Sequence, residues 1–186
     1  MEEFFVQEVK VGHKVEDFSA EAYDPSKDKF IKVSLKDNMK KGKWTILFFW
    51  PKDFTFVCPT EIVGLSDRIK DFDKLNANVY GVSTDTAFVH QAWSKLEVKN
   101  GGIGKVNYPL LEDANHALSS QFGVLLEDEG VALRGLFIIS PEGILEHSTI
   151  NNLNVGRNVD EIIRTLEALN NGGLCPLNWT KGDKTL

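Results

Sequence analysis

Cys58 stands in the stretch PKDFTFVCPTEI, residues 51–62, directly behind the apolar run WTILFFW. The chain has one other cysteine, Cys175, far away near its end. A lone cysteine is most often a small buried hydrophobe with inert sulfur, but the neighbours of Cys58 favour chemistry. It falls where a strand pattern stops and a helix pattern starts, and Pro59 after it suits the first turn of a helix. A helix N-terminus presents unpaired N–H groups and the positive end of the dipole. That environment favours thiolate over thiol, and the thiolate is the nucleophile. Thr55, three residues upstream, is close enough for its hydroxyl to reach the sulfur. It could donate to a thiolate and accept from an incoming X–OH group. A plain N-cap is the other role open to Thr55, and the two can coexist. Pro51 and Phe54 would shield the site from bulk water and strengthen each polar contact.

The elements that must hold these residues follow from the spacing of apolar positions. KWTILFFW (43–50) is a continuous apolar run of strand length, as in a buried sheet. Ile62, Leu65, Ile69, Phe72 and Leu75 recur at three- and four-residue intervals and predict one amphipathic helix. ANVYGVSTD (77–85) reads as a strand whose closing Ser-Thr-Asp caps a helix over about 86–96. Residues 100–109 form a Gly-rich loop, and 113–123 a short helix ended by Gly123. GLFIIS (135–140) and ILEHSTI (144–150), separated by PEG, predict a hairpin. Val159–Leu169 is a last amphipathic helix. This order gives an α/β chain, a mixed central sheet with helices on both faces. One domain over 1–170 is expected, followed by an extended arm over 171–186.

Composition narrows the function. The 186 residues are 42% hydrophobic and 26% charged, with a formal charge of −6. No basic stripe for nucleic acid is present. No run is long enough to span a membrane, and the N-terminus does not resemble a secretory signal. Two cysteines are too few for a secreted disulfide scaffold, so the expected compartment is the cytoplasm. The four histidines lack ligand spacing, so no metal site is expected. GGIGK is neither a phosphate loop nor a dinucleotide fingerprint, and GVSTD lacks the closing glycine of a nucleophile elbow. No cofactor is expected.

Pro51, Thr55 and Cys58, in PKDFTFVCPTE, resemble the active-site pattern of the peroxiredoxins, and the likeness is close to the typical two-cysteine subfamily that includes the alkyl hydroperoxide reductase C subunit. VGHKVEDFSAEAYD, GVSTDTAFVHQAW, RGLFIISPEG, GRNVDEIIRTLEAL and CPLNW extend the likeness along nearly the whole chain. The resemblance implies a thioredoxin-like fold and a thiol peroxidase acting on hydrogen peroxide and organic hydroperoxides. It implies that Cys58 attacks the peroxide and becomes a sulfenic acid, with Thr55 orienting the substrate and Arg134 beside the thiolate. Cys175, in LCPLNW, matches the resolving cysteine, which forms an intersubunit disulfide with the partner subunit. Glu61 resembles a position that holds the arginine; taken alone, it reads nearly as well as a surface charge. Trp93 resembles a packing position around the site. A homodimer, assembled further into a ring of dimers, is implied. So is an external reductant, because the chain carries no C-x-x-C and no flavin or nicotinamide fingerprint. A flavoprotein reductase, a thioredoxin and a rubredoxin-type donor all stay open.

Overall fold

The computed structural model describes residues 9–186. Its centre is β3, Trp44–Phe49, the apolar run that leads to Cys58. Before it come β1 (Ser19–Asp24), β2 (Lys29–Ser34) and the short helix α1 (Leu35–Lys40). After the cysteine-bearing loop follow α2 (Cys58–Asp67), α3 (Ile69–Lys74), β4 (Ala77–Ser83) and α4 (Ala87–Ser94). A 3-10 turn at Val98–Asn100 precedes β5 (Leu110–Glu112) and α5 (Ala117–Gln121). The chain then makes β6 (Leu125–Leu126), β7 (Val131–Ala132), β8 (Arg134–Ile139), β9 (Leu145–Asn151) and α6 (Val159–Asn171).

Seven strands join in the order β2-β1-β5-β4-β3-β8-β9, while β6 and β7 pair apart. β3 lies parallel to β4 and antiparallel to β8, so the sheet is mixed. Strand alternation divides the core. Ile46, Phe48 and Trp50 face α2, α3, α4 and α6, meeting Ile62, Leu65, Phe72, Trp93 and Leu166. Leu47 and Phe49 face the other way, meeting Leu35, Leu118 and Phe122. A strand buried on both faces has no polar side to show, hence the unbroken apolar run. The helices on both faces and the mixed sheet agree with the expectation.

Several boundaries differ from it. The helix expected through Leu75 is two helices, broken at Arg68 (φ −102°, ψ 10°). The break lets Leu65 and Phe72 both reach the core, and Arg68 is held across it by Asp71 at 2.7 Å. The helix expected over 113–123 shrinks to α5, because Asp113 turns its carboxylate forward to accept from the N–H groups of Leu118 and Ser119, each at 2.8 Å. The cap of α4 is Thr86, whose hydroxyl accepts from Val89 N–H, rather than the Ser-Thr-Asp before it. β1, β2, α1, β5 and the β6–β7 pair lie outside the expected elements. The first two are short and rich in charge, and pair with each other at one edge of the sheet. β5 is only three residues long.

After α6 the chain folds back. Trp179 is buried, its carbonyl accepts from Arg164 Nη1 at 3.0 Å, and Leu186 N–H donates to Leu174 C=O at 2.9 Å.

Candidate active site

The loop from Trp50 to Val57 leaves the C-terminal end of β3 and is held from beneath. Trp50 Nε1–H donates to Asp53 at 2.9 Å, and Asp53 N–H donates to the Asp85 carboxylate at 2.8 Å. The other Asp53 oxygen lies 2.7 Å from His90 Nδ1, on α4. Pro51 is buried, and its carbonyl accepts from Thr84. Phe54 adopts φ +57°, a left-handed conformation that costs a bulky residue about 1–2 kcal/mol. Its ring is set against Trp93, centroids 5.7 Å apart, which offsets part of that cost. Trp93 is wholly buried and donates to Gly101 C=O at 2.9 Å, joining the site loop to the Gly-rich loop. The Gly-rich loop needs Gly102: a Cβ there would lie 2.1 Å from the Leu96 carbonyl oxygen.

The His90–Asp53 pair has no exposed side-chain surface. His90 Nε2 faces Leu111 C=O at 3.0 Å, which can only accept, so both ring nitrogens look at acceptors. Burial pulls the imidazole toward its neutral form. The Asp53 hydrogen bond and charge outweigh that, and the net direction for His90 is upward. For Asp53 burial is the main influence and raises it, against the His90 hydrogen bond and charge that pull it down. A histidine raised above its unfolded value of ~6.5 contributes stability that is fully present below that pH and is lost as pH rises through the folded value. The expected result is a urea midpoint that falls as pH increases from about 6.5, in reduced protein, with the slope flattened in His90→Gln. An NMR titration placing the His90 ring at or below ~6.5 would contradict this.

Cys58 is the first residue of α2, with Pro59 in the first turn and no side-chain cap ahead of it. Its side chain has no exposed surface. Arg134 Nη1 reaches across from the start of β8 and donates to Cys58 Sγ at 3.4 Å. The same nitrogen donates to Glu61 Oε2 at 2.8 Å, while Nε donates to Leu153 C=O at 2.7 Å. These bonds fix the plane of the guanidinium. Nη2 makes no hydrogen bond to any described residue.

Glu61 lies one turn along α2 and is buried, so it is not a surface charge. Besides Arg134, its carboxylate accepts from Arg157 N–H, Nε and Nη2 at 2.7, 2.8 and 3.1 Å. Thr55 is half-buried and donates its hydroxyl to Lys52 C=O at 3.1 Å. Among the described residues it makes no bond to the Cys58 sulfur, and it does not cap α2. Cys175 is half-buried beside Ala168 C=O, 3.8 Å away, and both cysteines are free thiols. The structure thus gathers Cys58, Arg134 and Glu61 into one cluster, packs Trp93 in the core that holds Cys58, keeps Pro51 and Thr55 in the loop ahead of α2, and leaves Cys175 on the C-terminal segment.

The profile of the AhpC/TSA family matches residues 11–148. A Bacillus subtilis protein described as "Putative peroxiredoxin YkuU" is 56% identical over 176 residues, covering 95% of this chain and 97% of its own. The chain belongs to the AhpC/TSA family. The crystal structure of a Plasmodium vivax 2-Cys peroxiredoxin in its reduced form superposes with a TM-score of 0.90 at 39% identity, over 94% of this chain and 91% of that one. A Clostridium pasteurianum protein described as "Putative peroxiredoxin in rubredoxin operon" is 46% identical over 176 residues, covering 95% of this chain and 98% of its own. The fold is therefore thioredoxin-like, and the activity is that of a peroxiredoxin, a thiol peroxidase.

Two features of this peroxiredoxin leave no signal in the residues taken one by one. Arg157, in GRN just before α6, is buried at its side chain and stacks its guanidinium 4.1 Å over the ring of Phe48. Burial pushes its pKa down, against the Glu61 hydrogen bonds that push it up. An arginine keeps its charge regardless, so Glu61 is the counterion for two buried cations. Only the side chain's low exposure separates it from an ordinary helix-start arginine, and no spacing rule reports that. The Asp53–His90 pair likewise has no local signature. Its members are 37 positions apart and meet only because β3 and β4 run parallel and deliver both loops to one end of the sheet.

Among the described residues no group of three or more His, Cys, Asp or Glu could hold a metal ion, and no helix is long and apolar enough to cross a membrane.

Proposed function

We propose that this peroxiredoxin reduces hydrogen peroxide and organic hydroperoxides through a Cys58 sulfenic acid, which Cys175 of the partner subunit resolves as an intersubunit disulfide. The observation that carries the reading is the Arg134 guanidinium against Cys58 Sγ, 3.4 Å away, at the N-terminus of α2. The thiolate attacks the terminal peroxide oxygen, the O–O bond breaks, and an alcohol or water leaves once its oxygen is protonated. Arg134 stabilises negative charge on the sulfur and then on the leaving oxygen, in a pocket where Coulomb interactions are weakly screened. Thr55 would give up Lys52 C=O and turn its hydroxyl toward the substrate; Pro51 and Trp93 hold the loop that carries it.

In the second step the Cys175 thiol attacks the sulfenic sulfur, an S–S bond forms, and water is released. An external reductant then reopens the bond by supplying two electrons and two protons, a dithiol doing so by exchange. The likeness to a relative named for a rubredoxin operon favours a rubredoxin-linked donor, with a flavoprotein reductase and a thioredoxin as the other candidates. A homodimer that closes further into a ring of dimers suits the exposed aromatic surface, where Phe88 is 70% exposed and packs 4.9 Å from Phe30. The proposed location is the cytoplasm.

Treating reduced protein with one equivalent of hydrogen peroxide should yield a covalent dimer on a non-reducing gel. Cys175→Ser should stay monomeric on the same gel while still consuming its first equivalent of peroxide. A wild-type monomer band with no titratable thiols would mean an intrachain bond and overturn the intersubunit assignment.

A further inference from the structure

Pro109 interrupts the central sheet. The parallel ladder between β4 and β5 ends where Gly81 N–H donates to Pro109 C=O at 3.1 Å. The next bond toward the start of β4 would run from residue 109 to Val79 C=O, and proline has no N–H to give. Trp44 N–H donates to Asn76 C=O and Trp50 N–H to Val82 C=O, so the even-numbered residues of β4 face β3. Val79 turns its N–H and C=O the other way, where no described residue bonds either group. Val79 is only 2% exposed. A buried backbone pair left this way costs free energy unless water or a ligand meets it.

The gap opens into a cleft of about 580 Å³ lined by the β1–β2 hairpin, α1, α3 and the first half of β4. It lies at the opposite end of the parallel strands from the loop that carries Cys58. Ile31 on β2 and Ile69 on α3 give it apolar walls. Its polar floor is already fixed: Asn78 Nδ2 donates to Tyr80 Oη and Tyr80 O–H to Asn38 Oδ1, each at 3.2 Å, while Asn38 Nδ2 donates to Trp44 C=O. The rim is charged. Lys27 holds Asp24 at 2.7 Å, and Lys40 holds Asp37 at 3.3 Å. Lys32, Lys41 and Lys70 pair with no carboxylate among the described residues, and Asp73 is the one lining carboxylate without a cation. The cleft therefore carries a local positive excess in a chain whose formal charge is −6. Its size is that of a small-molecule site.

We propose that this cleft binds a nucleoside phosphate, its base edge on Val79 N–H and C=O and its phosphate against Lys32, Lys41 and Lys70. A strand residue that faces away from its neighbour offers a donor and an acceptor side by side. That pair complements the ring nitrogen and amino group of adenine. A ligand group that reproduces the bonds of the water it displaces enters without loss, so the interrupted ladder is a ready place for such an edge. Ile31 and Ile69 come from opposite layers of the sheet and can cover the two faces of a flat ring. Three ammonium groups around one opening bind phosphate as point charges. None of these residues belongs to the cluster at Cys58, so the site is independent of the thiol chemistry.

The test titrates the reduced full chain calorimetrically with AMP, adenosine, ribose 5-phosphate and inorganic phosphate at low salt. AMP should bind saturably and more tightly than the other three, and its affinity should fall as salt is raised. Lys32→Gln and Lys70→Gln should each weaken AMP by roughly tenfold, the scale of one charged hydrogen bond. Both lysines are exposed, so the fold and kcat/KM for hydrogen peroxide should stay at wild-type values. Hydrogen exchange reads the base edge directly. Without ligand the Val79 amide should exchange faster than those of Asn78 and Tyr80, which face β3, and AMP should slow it. Pro109→Ala supplies the missing N–H to Val79 C=O, so it should shrink the advantage of AMP over ribose 5-phosphate while leaving ribose 5-phosphate binding as it was. Inorganic phosphate or ribose 5-phosphate binding as tightly as AMP would overturn the base edge. No saturable AMP binding, or binding indifferent to both lysine variants, would overturn the site.

Discussion

Cys58→Ser is expected to abolish hydroperoxide turnover, lowering the rate by at least about a thousandfold. Serine has almost the same shape, and the position is wholly buried at the start of α2, so the fold should persist. What disappears is the proposed nucleophile. A hydroxyl beside Arg134 stays protonated at neutral pH, so it offers no anion to attack the peroxide. The peroxide O–O bond is broken by a two-electron attack that sulfur supplies and a serine hydroxyl does not. Loss of hydrogen peroxide, followed directly in the presence of a thiol reductant, is the measurement. Turnover at the wild-type rate would remove Cys58 from the chemistry altogether.

The second large effect is expected at Arg134. Arg134→Ala and Arg134→Lys should each lower kcat/KM for hydroperoxide by about a hundredfold or more, the usual cost of removing one aimed donor from a developing charge. Lysine is the informative variant. It keeps a positive charge, yet the arginine divides its donors among Cys58 Sγ, Glu61 Oε2 and Leu153 C=O from a rigid plane. A single ammonium on a flexible stem cannot hold all three and still leave a donor facing substrate. Glu61 retains Arg157 in either variant, so the carboxylate is not left unpaired and gross unfolding is not expected. Far-UV circular dichroism checks the fold and steady-state kinetics the rate. Full activity in Arg134→Lys would show that charge alone suffices and that the fork plays no part.

These expectations were partly legible in the chain itself. Cys58, Thr55 and Pro51 lie close together in the chain, and the break between an apolar run and a three-four spacing is local, so the proposed nucleophile and its helix terminus could be read directly. Glu61 and Arg134 are 73 positions apart, and no local spacing pairs them; family likeness implies the pairing and the packed structure shows it. Thr55 shows the reverse case. Its nearness to Cys58 along the chain suggested a bond to sulfur, yet its hydroxyl bonds Lys52 C=O, because the loop ahead of α2 is not helical and one-turn spacing does not apply there.

The sequence by itself determined β3, the helix-bearing apolar stripes, the β8–β9 hairpin and the placement of Cys58 at the start of α2, all signals carried by residues close together in the chain. Tertiary structure alone decided the rest. β1 and β2 have little apolar run of their own and become strands by pairing with each other, with β1 also meeting β5. His90 looks like an ordinary helix residue until parallel β3 and β4 bring its loop to that of Asp53, and Arg157 like a surface cation until Glu61 and Phe48 close around it. The reason is physical: a hydrophobic period reports which face of an element is buried, but a buried ion pair or hydrogen bond depends on which distant group fills the remaining space, and that is settled only when the layers pack.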